Sequence, residues 1–389
     1  MRSIPDASEL DGVAKRRPDA SDGCGICIQG GKYGGGVAAD CGGSTGSPLK
    51  PCVRESRIPK KERIVRILSL QALRAVGAIA VVLYHAGTLG AGINLRVGAT
   101  GVDLFFIISG AVMYLSVNDQ TSMLSFLWAR FTRVVPLYWI GTIGAVGVYI
   151  AKSGHFPPIF DIVTSALFLP SEHFGDFPIL YPGWSLNYEI FFYALIAVLL
   201  MFGSSAMGLA ATTTLALGTL HESVQAPYAE YYCQPVMIEF AAGILIGMAI
   251  RARLTPSRGV SLMLICVGIA LLTLHSPESK INAAIGWGVP WAMILVGSIA
   301  FDSSLLVRSK VTQLLGAASY SIYLAHPFVI WGIEALTRDR NNLVFAAAAA
   351  LSILSGLIVH LAIEKPLLSG LRKFQPFKKL NVPEGKSAA

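Results

Sequence analysis

From Ile64 onward the chain alternates long apolar runs with short polar breaks, and ten runs approach or reach the length of a membrane-spanning helix. They fall at about 69–88, 101–117, 134–151, 184–203, 205–220, 234–250, 260–275, 283–300, 313–332 and 342–362. Repeated runs of this kind predict an all-α, polytopic membrane protein, because lipid admits only segments that satisfy their own backbone hydrogen bonds. One apolar stretch, 159–170, is too short to cross. It sits in a proline-rich segment, 152–183, that carries His155 and His173, and predicts a re-entrant or interfacial helix within a lid. Neither a repeat of about 20–50 residues nor the inverted symmetry of a transporter is visible.

Charge fixes the expected sidedness. Before the first run stand Arg54, Arg57, Lys60, Lys61, Arg63 and Arg66, which place the N-terminus in the cytoplasm by positive-inside sorting. Ten crossings return the C-terminus to the same side, in keeping with Lys365, Arg372, Lys373, Lys378 and Lys379. Arg130 and Arg133, then Arg251, Arg253 and Arg258, then Arg308 and Lys310 fall in inner loops. The outer loops hold Asp161, Glu172, Asp176, Glu222 and Glu230.

Against this apolar background a few polar residues stand out. Arg74 and His85 lie inside the first run, eleven residues apart. Eleven steps of about 100° close to within about 20° of three full turns, so both side chains share one stripe, about 16 Å apart along the axis. Neither belongs against lipid, so the stripe should face other helices or a wet cavity. Arg130 and Arg133, at i and i+3, share a helix face and with Arg74 form a candidate phosphate clamp; alone, the pair reads equally as ordinary topology. Towards the other face lie His85, Asp103, Glu189, Tyr323 and His326, a set of imidazoles and carboxylates suited to general acid–base chemistry. Ser185 and Tyr323 are candidate oxyanion donors, although Ser185 reads also as a helix cap and His326 as an adjustment before Pro327.

Composition changes the picture little. A hydrophobic share of 53%, a charged share of 14% and a net charge of +8 suit a membrane protein whose cations meet anionic lipid headgroups, with no nucleic-acid partner. Residues 1–62 are polar and glycine-rich and predict either a disordered tail or a start of the folded chain nearer Arg63. Cys24 and Cys27 have the spacing of a zinc pair, but Cys41 and Cys52 do not supply a second one, and no metal is expected. Nucleotide-binding glycine loops, zinc-ligand helices and GxSxG elbows are absent, and Gly243 and Gly247 predict close helix packing.

Six stretches carry a resemblance: LQALRAVGAIAVVLYHAG, GVDLFFIISGAVM, ARFTRVVPLYW, PGWSLNYEIFFY, ASYSIYLAHPFVI and IEKPLL. In this order, across about residues 66–370, the chain resembles the membrane-bound acyltransferase-3 family, particularly its exopolysaccharide-production members. The resemblance implies one ten-helix domain over 63–370, a basic tail over 371–389, and the stand-alone form without an appended hydrolase-like domain. It implies a multi-pass enzyme of the inner (plasma) membrane that moves an acyl group, usually acetyl, from cytoplasmic acyl-coenzyme A to a sugar hydroxyl of a polysaccharide or glycolipid outside. By position His85 carries over as the catalytic histidine with Arg74 as its motif partner, Arg130 and Arg133 as the arginine pair, and Glu189 as the acid of the WSL motif. Tyr323 and His326 carry over more loosely, and Asp103 joins Glu189 as a group to orient the imidazole. The competing class is a transporter or flippase of a lipid-linked sugar, which would use the same buried charges as a path and relay.

Overall fold

A computed structural model describes residues 67–374 apart from 94, 119, 172–176 and 275–279. The expectations for the N-terminal tail and its cysteines, for Arg54 to Arg66, for Glu172, His173 and Asp176, and for Lys378 and Lys379 lie outside the described residues.

Every regular element among the described residues is helical. The chain begins with α1 (Leu68–Ala86), a short α2 (Arg96–Ala99), α3 (Gly101–Ser116), α4 (Met123–Ser153) and the small α5 (Ile159–Ala166). It continues with α6 (Gly183–Leu199), α7 (Ala206–Thr219), α8 (Pro227–Tyr232), α9 (Met237–Arg251), α10 (Arg258–Leu274) and α11 (Lys280–Ile299). Last come α12 (Leu305–Arg308), α13 (Lys310–Leu336), α14 (Asn342–Val359) and α15 (Lys365–Lys373). By length and composition, six helical stretches can cross a membrane: Leu68–Leu89, Arg96–Ser116, Met123–Ser153, Gly183–Thr219, Lys310–Leu336 and Asn342–Lys373.

One difference from the sequence reading has a clear cause. α4 starts eleven residues earlier than the apolar run, because the Ser122 hydroxyl accepts the Ser125 N–H and caps a mixed first turn. Arg130 and Arg133 therefore lie within the helix instead of leading into it. The stretch Gly183–Thr219 is broken at Gly203, whose φ of 60° and ψ of −129° suit only glycine, so α6 and α7 part there as the two neighbouring runs predict.

Packing is organised by α1, α3, α9 and α13. α1 lies on α13, α3 on α9, and α10 and α11 form a hairpin beside them. α3 and α9 approach closely because glycines face each other: a Cβ on Gly243 would come within 2.9 Å of Gly110 Cα, and one on Gly247 within 2.9 Å of the Ala111 carbonyl. The core between α3, α4, α6 and α9 is aromatic, with Phe106, Tyr138, Phe192 and Phe240 buried. Phe192 and Phe240 bring their ring centroids to 4.2 Å.

The short α5 is amphipathic in the sense a lipid boundary demands. Ile159, Phe160 and Val163 are exposed while Asp161, Thr164 and Ser165 are buried. Its polar side is tied inward by Ser171 Oγ donating to Asp161, by the Ile179 N–H donating to Ser165 Oγ, and by Trp139 Nε1 of α4 donating to the Ala166 carbonyl. These bonds hold the segment 177–182 over the bundle, at the end where α1 terminates.

Candidate active site

Arg74 and His85 do share a stripe, and it faces α13. Arg74 Nε donates to Ser319 Oγ at 3.2 Å, and the His85 ring lies 5.0 Å from that of His326. Along this seam the polar groups fall into two neighbourhoods.

The first is a cavity of about 450 Å³ lined by Arg74, Arg130, Arg133 and Arg372, with Glu189, Ser109 and Trp128. Each arginine is held differently. Arg133 Nη1 lies 2.5 Å from Glu364 Oε1, and the other oxygen of Glu364 accepts from Ser321 Oγ and meets His360 Nδ1, both at 2.7 Å. A turn of π-helix over His360–Glu364 presents that acid. Pro366, which has no N–H to donate, lies two residues beyond this turn. Arg130 lies against the rings of Phe126 and Tyr193, at 5.7 and 5.9 Å. Two buried donors there, Arg130 Nε and Trp128 Nε1, have no acceptor among the described residues. Four guanidiniums and two unfilled donors around one cavity fit an anionic, phosphate-bearing ligand.

Glu189 belongs to this neighbourhood. It accepts from Ser109 Oγ at 2.8 Å and from the Tyr193 hydroxyl, and it lines the basic cavity with Arg74. It also lines a smaller void of about 50 Å³ shared with Arg74, Ser319, Ser185 and Tyr323. That void is the neck leading towards the second neighbourhood.

The second neighbourhood is made of rings. His85 Nδ1 lies 3.0 Å from the Val81 carbonyl, one turn back on its own helix, which assigns the proton to Nδ1 and leaves Nε2 as an acceptor. The Tyr181 hydroxyl fills that acceptor position. Burial pushes the Tyr181 phenol above its usual range, so it is protonated and donates. His326, fully buried, makes the same local bond, Nδ1 to the Tyr323 carbonyl at 2.7 Å, and its Nε2 has no partner among the described residues.

Several expectations need correction. Asp103 does not reach this group: it lines a separate cavity with Glu239. Glu189 makes no bond to His85, whose tautomer is instead set by a backbone carbonyl. The Ser185 and Tyr323 hydroxyls lie 2.9 Å apart and 3.1 and 3.0 Å from the Pro182 carbonyl, so their two protons are shared among these three contacts. Their hydroxyls therefore clasp the turn that carries Tyr181, and neither is free for an oxyanion. The sequence reading does not single out Tyr181, Glu364, His360 or Glu239, and it uses Arg372 only as a sign of sidedness. Glu239 was within reach, since an acid in the apolar run MIEFAAGILIG stands out by the same rule that isolates Glu189. Tyr181 carries no comparable signal. Among the described residues no group of three His, Cys, Asp or Glu side chains is placed to hold a metal.

Comparison with known proteins identifies the family. The family model described as "Acyltransferase domain" matches residues 67–361. The exopolysaccharide production protein ExoZ of Rhizobium meliloti (strain 1021) is 33% identical over 308 residues, covering 74% of this chain and 94% of ExoZ. The acyltransferase MdmB of Streptomyces mycarofaciens is 26% identical over 369 residues, covering 81% of this chain and 95% of MdmB. No solved structure matches the chain significantly. With the family model spanning most of its length, this chain belongs to the acyltransferase-3 family and is an acyltransferase of groups other than aminoacyl.

Proposed function

We propose that the protein is a transmembrane O-acyltransferase that takes an acyl group, acetyl in the first instance, from acyl-coenzyme A on the cytoplasmic side. It delivers that group to a hydroxyl of an extracytoplasmic polysaccharide or its lipid-linked precursor. In this reading the chain crosses the inner membrane ten times with both termini inside. The basic cavity then opens to the cytoplasm and the imidazole end faces outward. The observation that carries the reading is the continuity of the two neighbourhoods. Arg74 and Glu189 line both the basic cavity and the neck, and Tyr323, at the neck's far end, lies 5.9 Å from the His326 ring, which in turn abuts His85.

Arg130, Arg133, Arg372 and Arg74 would hold the phosphates of the donor, leaving its thioester arm to run up the neck. His85 Nε2, freed by displacement of the Tyr181 hydroxyl, accepts the proton of the incoming sugar hydroxyl. The resulting oxygen attacks the thioester carbonyl, the C–S bond breaks, and the departing thiolate takes the proton back from the imidazolium. Glu189 supplies the negative charge that keeps the guanidiniums from repelling one another at the neck. ExoZ bears a name tied to exopolysaccharide production, and this supports a polysaccharide acceptor here.

The test is incubation of membranes holding the full chain with labelled acetyl-coenzyme A and surface polysaccharide from which alkali has removed the ester groups. Label on the polysaccharide is the expected outcome. Translocation of glycan with no ester formed would establish a transporter in its place.

A further inference from the structure

Beside the neck lies a cavity of about 360 Å³ that the mechanism above does not use. Its walls include Asp103 and Val102 from α3, Glu239 from α9, Trp184 and Tyr188 from α6, and Trp287 from α11. Val102 and Phe106 line this cavity and the neck alike, so one layer of side chains separates the two. The cavity sits at the imidazole end: the turn before α3 packs on α1, where a Cβ on Gly98 would meet Tyr84 Cβ at 2.9 Å, next to His85.

The feature that demands a ligand is Glu239. It is 2% exposed, its carboxyl faces that of Asp103, and neither of its oxygens accepts a hydrogen bond from any other donor among the described residues. Gly288 lies opposite, where a Cβ would meet Glu239 Cγ at a tight 3.2 Å. Two carboxyls side by side in an apolar bundle are costly unless donors are brought to them. The flanking groups are aromatic. Trp184 stands edge-on to Phe106 and Tyr188, with centroids at 6.3 and 6.1 Å, and Trp287 closes the α11 side.

From this geometry we infer a carbohydrate subsite, in which Asp103 and Glu239 accept hydroxyl hydrogen bonds from one sugar ring while the tryptophans pack against its C–H faces. Two carboxyls on the wall suit hydroxyl donors better than a phosphate headgroup, even with Arg96 also lining the cavity. The subsite rests on the acyltransferase reading and refines it. Because a side-chain layer lies between this ring and the neck, the residue bound here is not the one acylated. It is a neighbour in the same glycan, and the enzyme recognises an oligosaccharide.

The test uses the purified full chain in lipid nanodiscs with labelled acetyl-coenzyme A. The acceptors are oligosaccharides cut from the host's own de-esterified surface polysaccharide, and separately its constituent monosaccharides. Glu239→Gln should raise the oligosaccharide KM by about tenfold to a hundredfold, the loss expected for one buried charge-assisted hydrogen bond, with kcat changed far less. The monosaccharide KM should stay put, because a single ring occupies only the reacting position. Should Glu239→Gln fail to fold, Trp287→Ala carries the same expectation. An unchanged oligosaccharide KM in a folded variant, or an equal rise for both acceptors, would overturn the subsite. Absence of acyl transfer to every acceptor by the unmodified protein would instead overturn the enzyme reading on which it rests.

Discussion

The two ends of the seam along α1 and α13 are built by opposite means. At the basic end charged groups reach side chains far away in sequence, Arg133 to Glu364, Arg74 to Ser319 and Glu189 to Ser109, with nearer contacts from Tyr193 to Glu189 and from Phe126 to Arg130. At the imidazole end the groups are rings whose Nδ1 is held locally, His85 by the carbonyl four residues back and His326 by the one three residues back. The contrast is chemically sensible. A site that must grip anions needs full charges, and those need distant counter-groups to survive burial. A site that must take and return a proton near neutral pH needs an imidazole whose lone pair is presented but not already neutralised by a carboxylate. Carboxylate support would raise the basicity of His85; a carbonyl fixes its tautomer with less of that effect.

The largest effect should come from removing the proposed base. His85→Ala is expected to lower acyl transfer by about 10²–10⁴-fold while leaving the affinity for coenzyme A within about threefold, as read by transfer rate and by equilibrium binding. Equal losses in both would merge the two ends into one functional unit and end the division of labour drawn here.

Next come the arginines. Arg130→Ala and Arg133→Ala should each weaken donor binding by about tenfold to a hundredfold, and that binding should fall as salt rises. Arg133→Ala should in addition lower thermal stability, because Glu364 would stay buried with less of its charge compensated; Arg130, whose neighbours are rings, should show no such penalty. A stability loss of equal size in both variants, measured by thermal unfolding in the same detergent, would remove the distinction.

How much of this was legible beforehand follows the same division. The helices, the shared stripe of Arg74 and His85 and the close packing at Gly243 and Gly247 come from local periodicity and spacing, which a single sequence displays directly. The partners do not. Nothing in the order of residues says that Arg133 meets an acid 231 positions later, or that Asp103 looks towards Glu239 and away from His85. Depth alone put Asp103 with the imidazoles; the rotation of α3 about its axis, fixed by its glycine contact with α9, takes it to the other side. Gly243→Val tests that contact. Overpacking there should cost about 1–3 kcal/mol of stability, visible as earlier thermal unfolding, since a Cβ already approaches Gly110 too closely.

The smallest effect is the most diagnostic for the imidazole end. Tyr181 places a hydroxyl on His85 Nε2, where the proposed mechanism puts the acceptor's hydroxyl, so in that mechanism the phenol and the substrate compete for one lone pair. Ser185 and Tyr323 hold the turn that carries it by bonding to the Pro182 carbonyl, which makes the contact a built feature of the closed site. Removing the hydroxyl alone, in Tyr181→Phe, keeps the ring against His85 and deletes the competitor. The acceptor KM should then fall by about twofold to tenfold, the worth of one ordinary hydrogen bond, with donor affinity unchanged. If the acceptor KM rose instead, the phenol would be assisting the substrate and not standing in for it, and His85 would depend on Tyr181 as the basic end depends on Glu364.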